Sequence, residues 1–452
     1  MDGVNWKTTM GLRARSGDGR LTGVGCALAV SAACLAAALP GRAAPIRNVI
    51  LCIGDGMGPE QVEAARCYAG TNLFFDSFPY QTRITTFAAG GALTDSAAAA
   101  TAIATGHKVD DGVISLAIPG DASELETLLE AFQKQGKASG LVTTSYLTDA
   151  TPAAFGAHAP SRGEYAQIAS NYLNRTRPEV LMGGGDSGMS ADAAANAGYT
   201  VVTDAATLAA ADASGGARVC GLFGSSSLPY EYDGLGDLPG ITNMVPKALD
   251  ILDSDPDGFF LMLEGGRIDH ACHDNDLPRC IFETLAFDAA VKLVAAWAQG
   301  RGDTLILVLA DHETGGLTVL KDNGAGHLPK VSWSTGGHTS TPVPLYGWGV
   351  NAGLVTQTVD NAEVRAIALS TALMPAVGVG VERFSPEVTR TRWAVSSGDV
   401  YRCEQTVTLQ PAAWQPGGTV TADTTRVTFA TTNAAAYPKS FFRLLSTQVG
   451  GK

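Results

Sequence analysis

Three apolar runs in this sequence each end on acidic residues, and no other feature constrains the fold as much. NVILCI (48–53) leads into Gly54-Asp55-Gly56, GFFLML (258–263) into Glu264, and TLILVLA (304–310) into Asp311-His312. The runs are continuous rather than alternating, as in strands buried on both faces. ASGLVTT (138–144) and VLMGGG (180–185) read the same way. Between them lie helix-like stretches, SELETLLEAFQKQG (123–136) and CIFETLAFDAAVKLVAAWAQG (280–300), the second closed by Gly300. This alternation predicts an α/β fold, a doubly wound and mostly parallel central sheet with helices on both faces. Ligands of such sheets bind beyond the carboxyl ends of the strands. Three strand ends thus deliver carboxylates to one edge, as a metal site requires.

The segment EGGRIDHACH (264–273) continues from one of those ends. Asp269 and His273 are four apart, so on a helix they face the same way, and a carboxylate with an imidazole suits zinc. The same spacing serves a solvent-facing ion pair, but the nearby strand-end Glu264 favours the metal. Of seven histidines, His312 follows Asp311 at a strand end and His338 lies in the Gly-rich STGGHTSTPVP. A structural role for His338 is as good a reading as ligation. His107, His158 and His327 lack an acidic strand-end context.

In YLTDATPAAFGAHAPSRG (146–163), Asp149 and Thr151 offer oxygen ligands two apart, which suits a hard ion such as magnesium. Thr151 before Pro152 also reads as a helix cap. The planar fork of Arg162 can clamp an anion. TDSAAAATA (94–102) reads as an alanine helix capped by Thr94 or Asp95, and Ser96 stands where a helix N-terminus attracts anions.

With 452 residues the chain has room for one large α/β domain and a small second one. A net charge of −13 argues against nucleic acid and anionic membrane as partners. Residues 1–43 read as an export signal. Lys7, Arg13, Arg15 and Arg20 precede the apolar run 21–39, and Pro40-Gly41 breaks it before cleavage after Ala43. The mature chain is then periplasmic or extracellular, with no stable membrane insertion. Its cysteines are Cys52, Cys67, Cys220, Cys272, Cys280 and Cys403, without a CxxC signature. Cys272 and Cys280 are close enough in sequence to pair, and buried free thiols are the equal alternative. A last helix is predicted from Asp360 to Leu373, with Asp360 and Glu363 as a capping box. From about 378 β-branched residues and turn signals take over. They predict a small all-β, sandwich-like module over 378–452, after an α/β domain over 44–377.

Taken together, NVILCIGDGMG, TDSAAAATAIATG, TDATPAAFGAH, EGGRIDHACH, ADHETGG and GGHT resemble the motifs of alkaline phosphatases, over about residues 47–375. The resemblance implies that family's fold and a phosphomonoesterase acting on small phosphorylated substrates. It implies two Zn2+ ions, one held by Asp269, His273 and His338, the other by Asp55, Asp311 and His312. It implies one Mg2+ ion held by Asp55, Asp149, Thr151 and Glu264. Ser96 is the implied nucleophile, passing through a phosphoserine, and Arg162 the implied phosphate clamp. A homodimer is implied as well. The alternatives are a phosphodiesterase of the same superfamily and an inactive metal-binding scaffold. A formylglycine sulfatase is disfavoured because Ser96 is followed by alanines, not by the Pro and Arg of the sulfatase maturation motif. YPKSFFRLLS and WAVSSGDVYRC resemble, more loosely, small β modules ending in F-[FY]-R-L on exported bacterial proteins. Attachment to a surface or carbohydrate and a passive stabilising cap are both open to that module.

Overall fold

Valine, leucine and isoleucine on consecutive positions leave a strand no face for water, and the strands built from these runs lie inside the molecule. The computed structural model describes residues 46–370 and, beyond them, six strands between Gly378 and Ser446. The proposed export signal lies outside the described residues. In chain order the first strands are β1 (Asn48–Gly54), β2 (Tyr80–Ile84), β3 (Ala138–Tyr146), β4 (Val180–Gly184), β5 (Thr200–Val202), β6 (Val219–Leu222), β7 (Phe259–Gly265) and β8 (Thr304–Leu309). Then follow β9 (Glu313–Thr314), β10 (Thr318–Lys321), β11 (Lys330–Ser332), β12 (His338–Thr339) and β13 (Val343–Gly349).

Nine of them form one sheet in the order β2-β13-β8-β1-β7-β3-β4-β6-β5. The seven from β8 to β5 run parallel, and only β13 is reversed against its neighbours β8 and β2. Every residue of β1, β7 and β8 is buried, so both faces of the sheet centre are covered. Each large apolar side chain withdrawn from water there stabilises the fold by about 1.5–3 kcal/mol. The 22-residue helix Leu277–Ala298 packs on β1, β7 and β8. Asp276 caps it and Pro278 stands in its first turn, so it starts three residues before the predicted Cys280.

Two helix predictions need correction. The stretch 123–136 is helical only over Leu128–Gln133, where Thr127 and Glu130 make a capping box. Its first residues pair instead with a neighbouring segment: Ala117 N–H donates to Ser123 O and Leu125 N–H to Ser115 O. The last helix is a 3₁₀ turn, Asn361–Glu363, followed by Val364–Leu369, and it ends at Ser370 in extended backbone. Asp360 accepts from Ala362 N–H while Glu363 accepts from Val359 N–H, a cap displaced by one residue.

Further along, β14 (Gly378–Ser385), β15 (Val388–Ala394), β16 (Val400–Thr406), β17 (Gln415–Thr421), β18 (Arg426–Thr432) and β19 (Phe441–Ser446) make two three-stranded antiparallel sheets. These are β14-β15-β18 and β17-β16-β19.

Candidate active site

Four adjacent parallel strands, β8, β1, β7 and β3, carry the acidic residues, one strand more than the apolar runs alone indicated. Ile53 lies opposite Leu309 on one side and Glu264 on the other. Asp55 and Asp311, each two residues further on, therefore emerge at the same level. Asp149 follows the end of β3. The turn after β1 needs glycine at position 56. Its φ is +67°, and a Cβ there would stand 2.8 Å from Asp269 Oδ1.

Asp269 and His273 share one face of the helix Arg267–His273, with His273 Nε2 3.2 Å from Asp269 Oδ2. His338, on β12, brings its Nε2 to 3.2 Å from His273 Nε2 and 3.8 Å from Asp269 Oδ1. His273 Nδ1 donates to Gly336 O at 2.7 Å, and His338 Nδ1 to Thr94 O at 2.8 Å. A carbonyl only accepts, so both rings hold their Nδ1 proton outward and aim Nε2 inward.

Asp55, Asp311 and His312 form a second, fully buried group. His312 Nε2 lies 3.5 Å from Asp55 Oδ1 and 3.3 Å from Asp311 Oδ2. These two carboxylate oxygens have no hydrogen-bond partner in the structure. The His312 ring stacks on that of His338 at 3.6 Å, which sets the two groups side by side.

Ser96 opens the helix Ser96–Thr105, whose ten residues are all buried. The cap is Asp95, whose Oδ1 accepts from Ala98 N–H at 2.9 Å; the Thr94 hydroxyl turns to Asp95 O instead. Ser96 Oγ reaches 3.1 Å from His312 Nε2. One imidazole nitrogen thus faces three oxygens, which a single proton cannot satisfy and a cation can. Arg162 splits its fork, Nη1 to Asp95 Oδ2 at 3.2 Å and Nη2 to Asp149 Oδ1 at 3.0 Å. That places the guanidinium beside the helix start.

The third set is gathered more loosely. Asp149, not Thr151, caps the helix Ala150–Gly156, so the Thr151 hydroxyl is left facing Asp55 Oδ2 at 3.5 Å. Asp149 is occupied by Ala150 N–H, Ser145 and Arg162. Glu264 accepts from Thr143 through one oxygen, and its other oxygen is buried without a partner.

Crowding of buried carboxylates shows in their protonation. Burial, then Asp149, pushes Glu264 up to about 8. Burial, then Asp269, pushes Asp311 up to about 7. Burial and Asp311 hold Asp55 well above the carboxylate range. Burial pulls His312 down to about 4, whereas the hydrogen bond to Asp269 raises His273 to about 9. Several carboxylates with orphaned oxygens, mixed with imidazoles whose Nε2 atoms converge, fit divalent cations: nitrogen and oxygen donors for zinc, oxygen donors alone for magnesium.

Residue patterns left some supports unseen. Thr314 donates to Asp269 Oδ1 and also touches His312 Nδ1 at 3.2 Å. It stands two residues beyond His312 in ADHET, where strand alternation alone could have marked it. Thr143 beneath Glu264 belongs to a neighbouring strand and carries no spacing signal.

A serine at a helix start, faced by two carboxylate–histidine groups at the edge of a parallel sheet, is suited to two-metal ester hydrolysis. Residues 46–328 match the family model of alkaline phosphatase. Alkaline phosphatase 3 of Bacillus subtilis (strain 168) is 38% identical over 298 residues, 61% of this chain and 63% of that protein. This chain therefore spans less than two thirds of the Bacillus protein's length. Streptomycin-6-phosphate phosphatase of Streptomyces griseus is 33% identical over 404 residues, 71% of this chain and 89% of that protein. The solved structure of alkaline phosphatase from the Antarctic bacterium TAB5 is similar with a TM-score of 0.65 and 28% identity. That likeness covers 73% of this chain and 98% of the TAB5 chain. The chain belongs to the alkaline phosphatase family.

Proposed function

We propose that this chain is an exported, metal-dependent phosphomonoesterase that hydrolyses small phosphate monoesters through a phosphoserine on Ser96. The observation that carries the reading is the Ser96 hydroxyl, set 3.1 Å from His312 Nε2 at the start of a buried helix. Asp269, His273 and His338 would hold one Zn2+, Asp55, Asp311 and His312 a second, and Asp55, Asp149, Thr151 and Glu264 a Mg2+. Bound there, the ions lower the pKa of serine and water and neutralise charge on the attacking and leaving oxygens.

The chain's own groups do the rest. Ser96 Oγ attacks phosphorus, the P–O bond to the alcohol breaks, and the phosphoryl group rests on the serine. Free N–H groups at the helix start and the Arg162 guanidinium bind the equatorial oxygens. Asp95 serves twice, capping the helix and keeping Arg162 turned toward Ser96. Water then attacks phosphorus and releases phosphate and Ser96. Residues 1–43 act as the export signal, 44–377 as the catalytic domain and 378–452 as an accessory module, and the enzyme works as a homodimer.

The test is phosphate release from an aryl monoester at alkaline pH, before and after prolonged chelation. Chelation should abolish turnover and added zinc with magnesium should restore it. Faster turnover of an aryl diester by the same preparation would overturn the monoester reading.

A further inference from the structure

Cys272 lies in the last turn of the helix Arg267–His273, and Cys280 in the first turn of Leu277–Ala298. Their Sγ atoms stand 3.5 Å apart and both side chains are fully buried. The corner between the two helices fixes this approach. Asp276 N–H donates to Ala271 O at 2.8 Å, Cys280 N–H donates to Asp276 O at 3.0 Å, and Asn275 turns the chain at a φ of 54°. These backbone contacts hold the two cysteine positions next to each other.

This corner adjoins the candidate metal centre. Cys272 directly precedes His273 on the helix that also carries Asp269. Gln61 Nε2 lies 3.8 Å from Cys272 Sγ and donates to Glu313 Oε1 and Thr314 O. Thr314 in turn bonds Asp269. Movement of Cys272 would thus reach Asp269 and His273, two of the three residues of that cluster.

We propose that Cys272 and Cys280 join as a disulfide in the exported chain, locking the helix that bears Asp269 and His273 onto the long helix behind it. The cross-link forms by exchange with a disulfide-donating partner of the oxidising compartment. One cysteine thiolate attacks the donor disulfide and expels a thiolate, and the second cysteine then displaces the donor from the mixed disulfide. Two protein thiols lose two protons and two electrons, and the donor disulfide becomes two thiols. Both sulfurs are sealed from solvent once the corner closes, so the exchange belongs to folding. The loop spans only eight residues, so it constrains the unfolded chain little and acts chiefly on the ligand helix.

The full chain, exported into an oxidising compartment, is denatured without reductant in the presence of an alkylating agent and digested with trypsin. The expected product is peptide 268–279 linked to peptide 280–292, separated by reductant. Recovery of both peptides alkylated, with no linked species, overturns the proposal. A second measurement tests the locking. Cys280→Ser should lose zinc to a chelator on the order of tenfold faster than the parent protein. Equal rates would show that the bond, where mapped, locks nothing. The consequence for metal retention rests on the ligand roles proposed for Asp269 and His273, whereas the peptide map reads no activity and stands or falls separately.

Discussion

The Nε2 atoms of His273 and His338 face each other across 3.2 Å, although each ring has already given its Nδ1 proton to a backbone carbonyl. Two lone pairs at that distance repel unless something positive lies between them. The hydrogen bond to Asp269 raises His273 to about 9, which favours a proton on its Nε2 when no cation is bound. The arrangement suits a cation held jointly with Asp269.

Removing one of these imidazoles should remove one ion. His338→Ala is expected to lower zinc content by about one equivalent per chain, as read by elemental analysis after gel filtration. The buried group of Asp55, Asp311 and His312 should keep its own ion. Unchanged zinc content would contradict the assignment of His338.

Stability should respond to pH in opposite senses with and without metal. Glu264 and Asp311, raised to about 8 and about 7 by burial first, hold protons in the folded metal-free chain that the unfolded chain has released. Their contribution is full below about pH 4 and is lost as pH rises through 7 to 8. Bound cations displace those protons and stabilise the charged form. The Tm gap between metal-saturated and chelated protein should therefore widen from pH 6 to pH 9. A constant gap would count against the buried carboxylates as ligands.

His158, which the sequence left outside the site, makes a separate prediction. Its Nδ1 donates to Ser115 O at 2.8 Å and its Nε2 meets Glu130 Oε1 at 3.0 Å, so the buried ring carries both protons. Burial opposes that charge more than any other single influence, but the hydrogen bonds to Glu130 and Ser115 together with the charge of Glu130 outweigh it, and the pKa is raised. The stabilisation is present below about pH 6.5 and disappears as pH rises through the folded value. His158→Gln should cost roughly 1–3 kcal/mol at pH 6 and less at pH 9. Parallel thermal melts across that range check the sign, and a pH-independent cost would refute the charged pair.

The sequence-legible part of this fold is the part set by continuous burial. β1, β7 and β8 are seen in advance because each apolar residue has to be inside, and the acids at their ends mark the sheet edge. Helix ends escape the residue pattern where pairing with a neighbouring segment decides. Ser123 and Leu125 leave the helical pattern because they pair with residues 115 and 117. The reversed β13 carries no local sign of its direction. In the site, the i,i+4 spacing exposes Asp269 with His273, while Thr143 acts through a contact across strands that no spacing encodes.

Ser96 also sits on a helix that would form without any catalytic purpose, since Asp95 caps it and alanines fill it. The most direct test of its role is to incubate the metal-loaded protein with labelled inorganic phosphate at mildly acidic pH, quench in acid and map the peptides. The account predicts one label on the peptide containing Ser96 and none in Ser96→Ala, whose monoester turnover should fall at least about a thousandfold. Undiminished turnover by Ser96→Ala, or label carried on another residue, would contradict it.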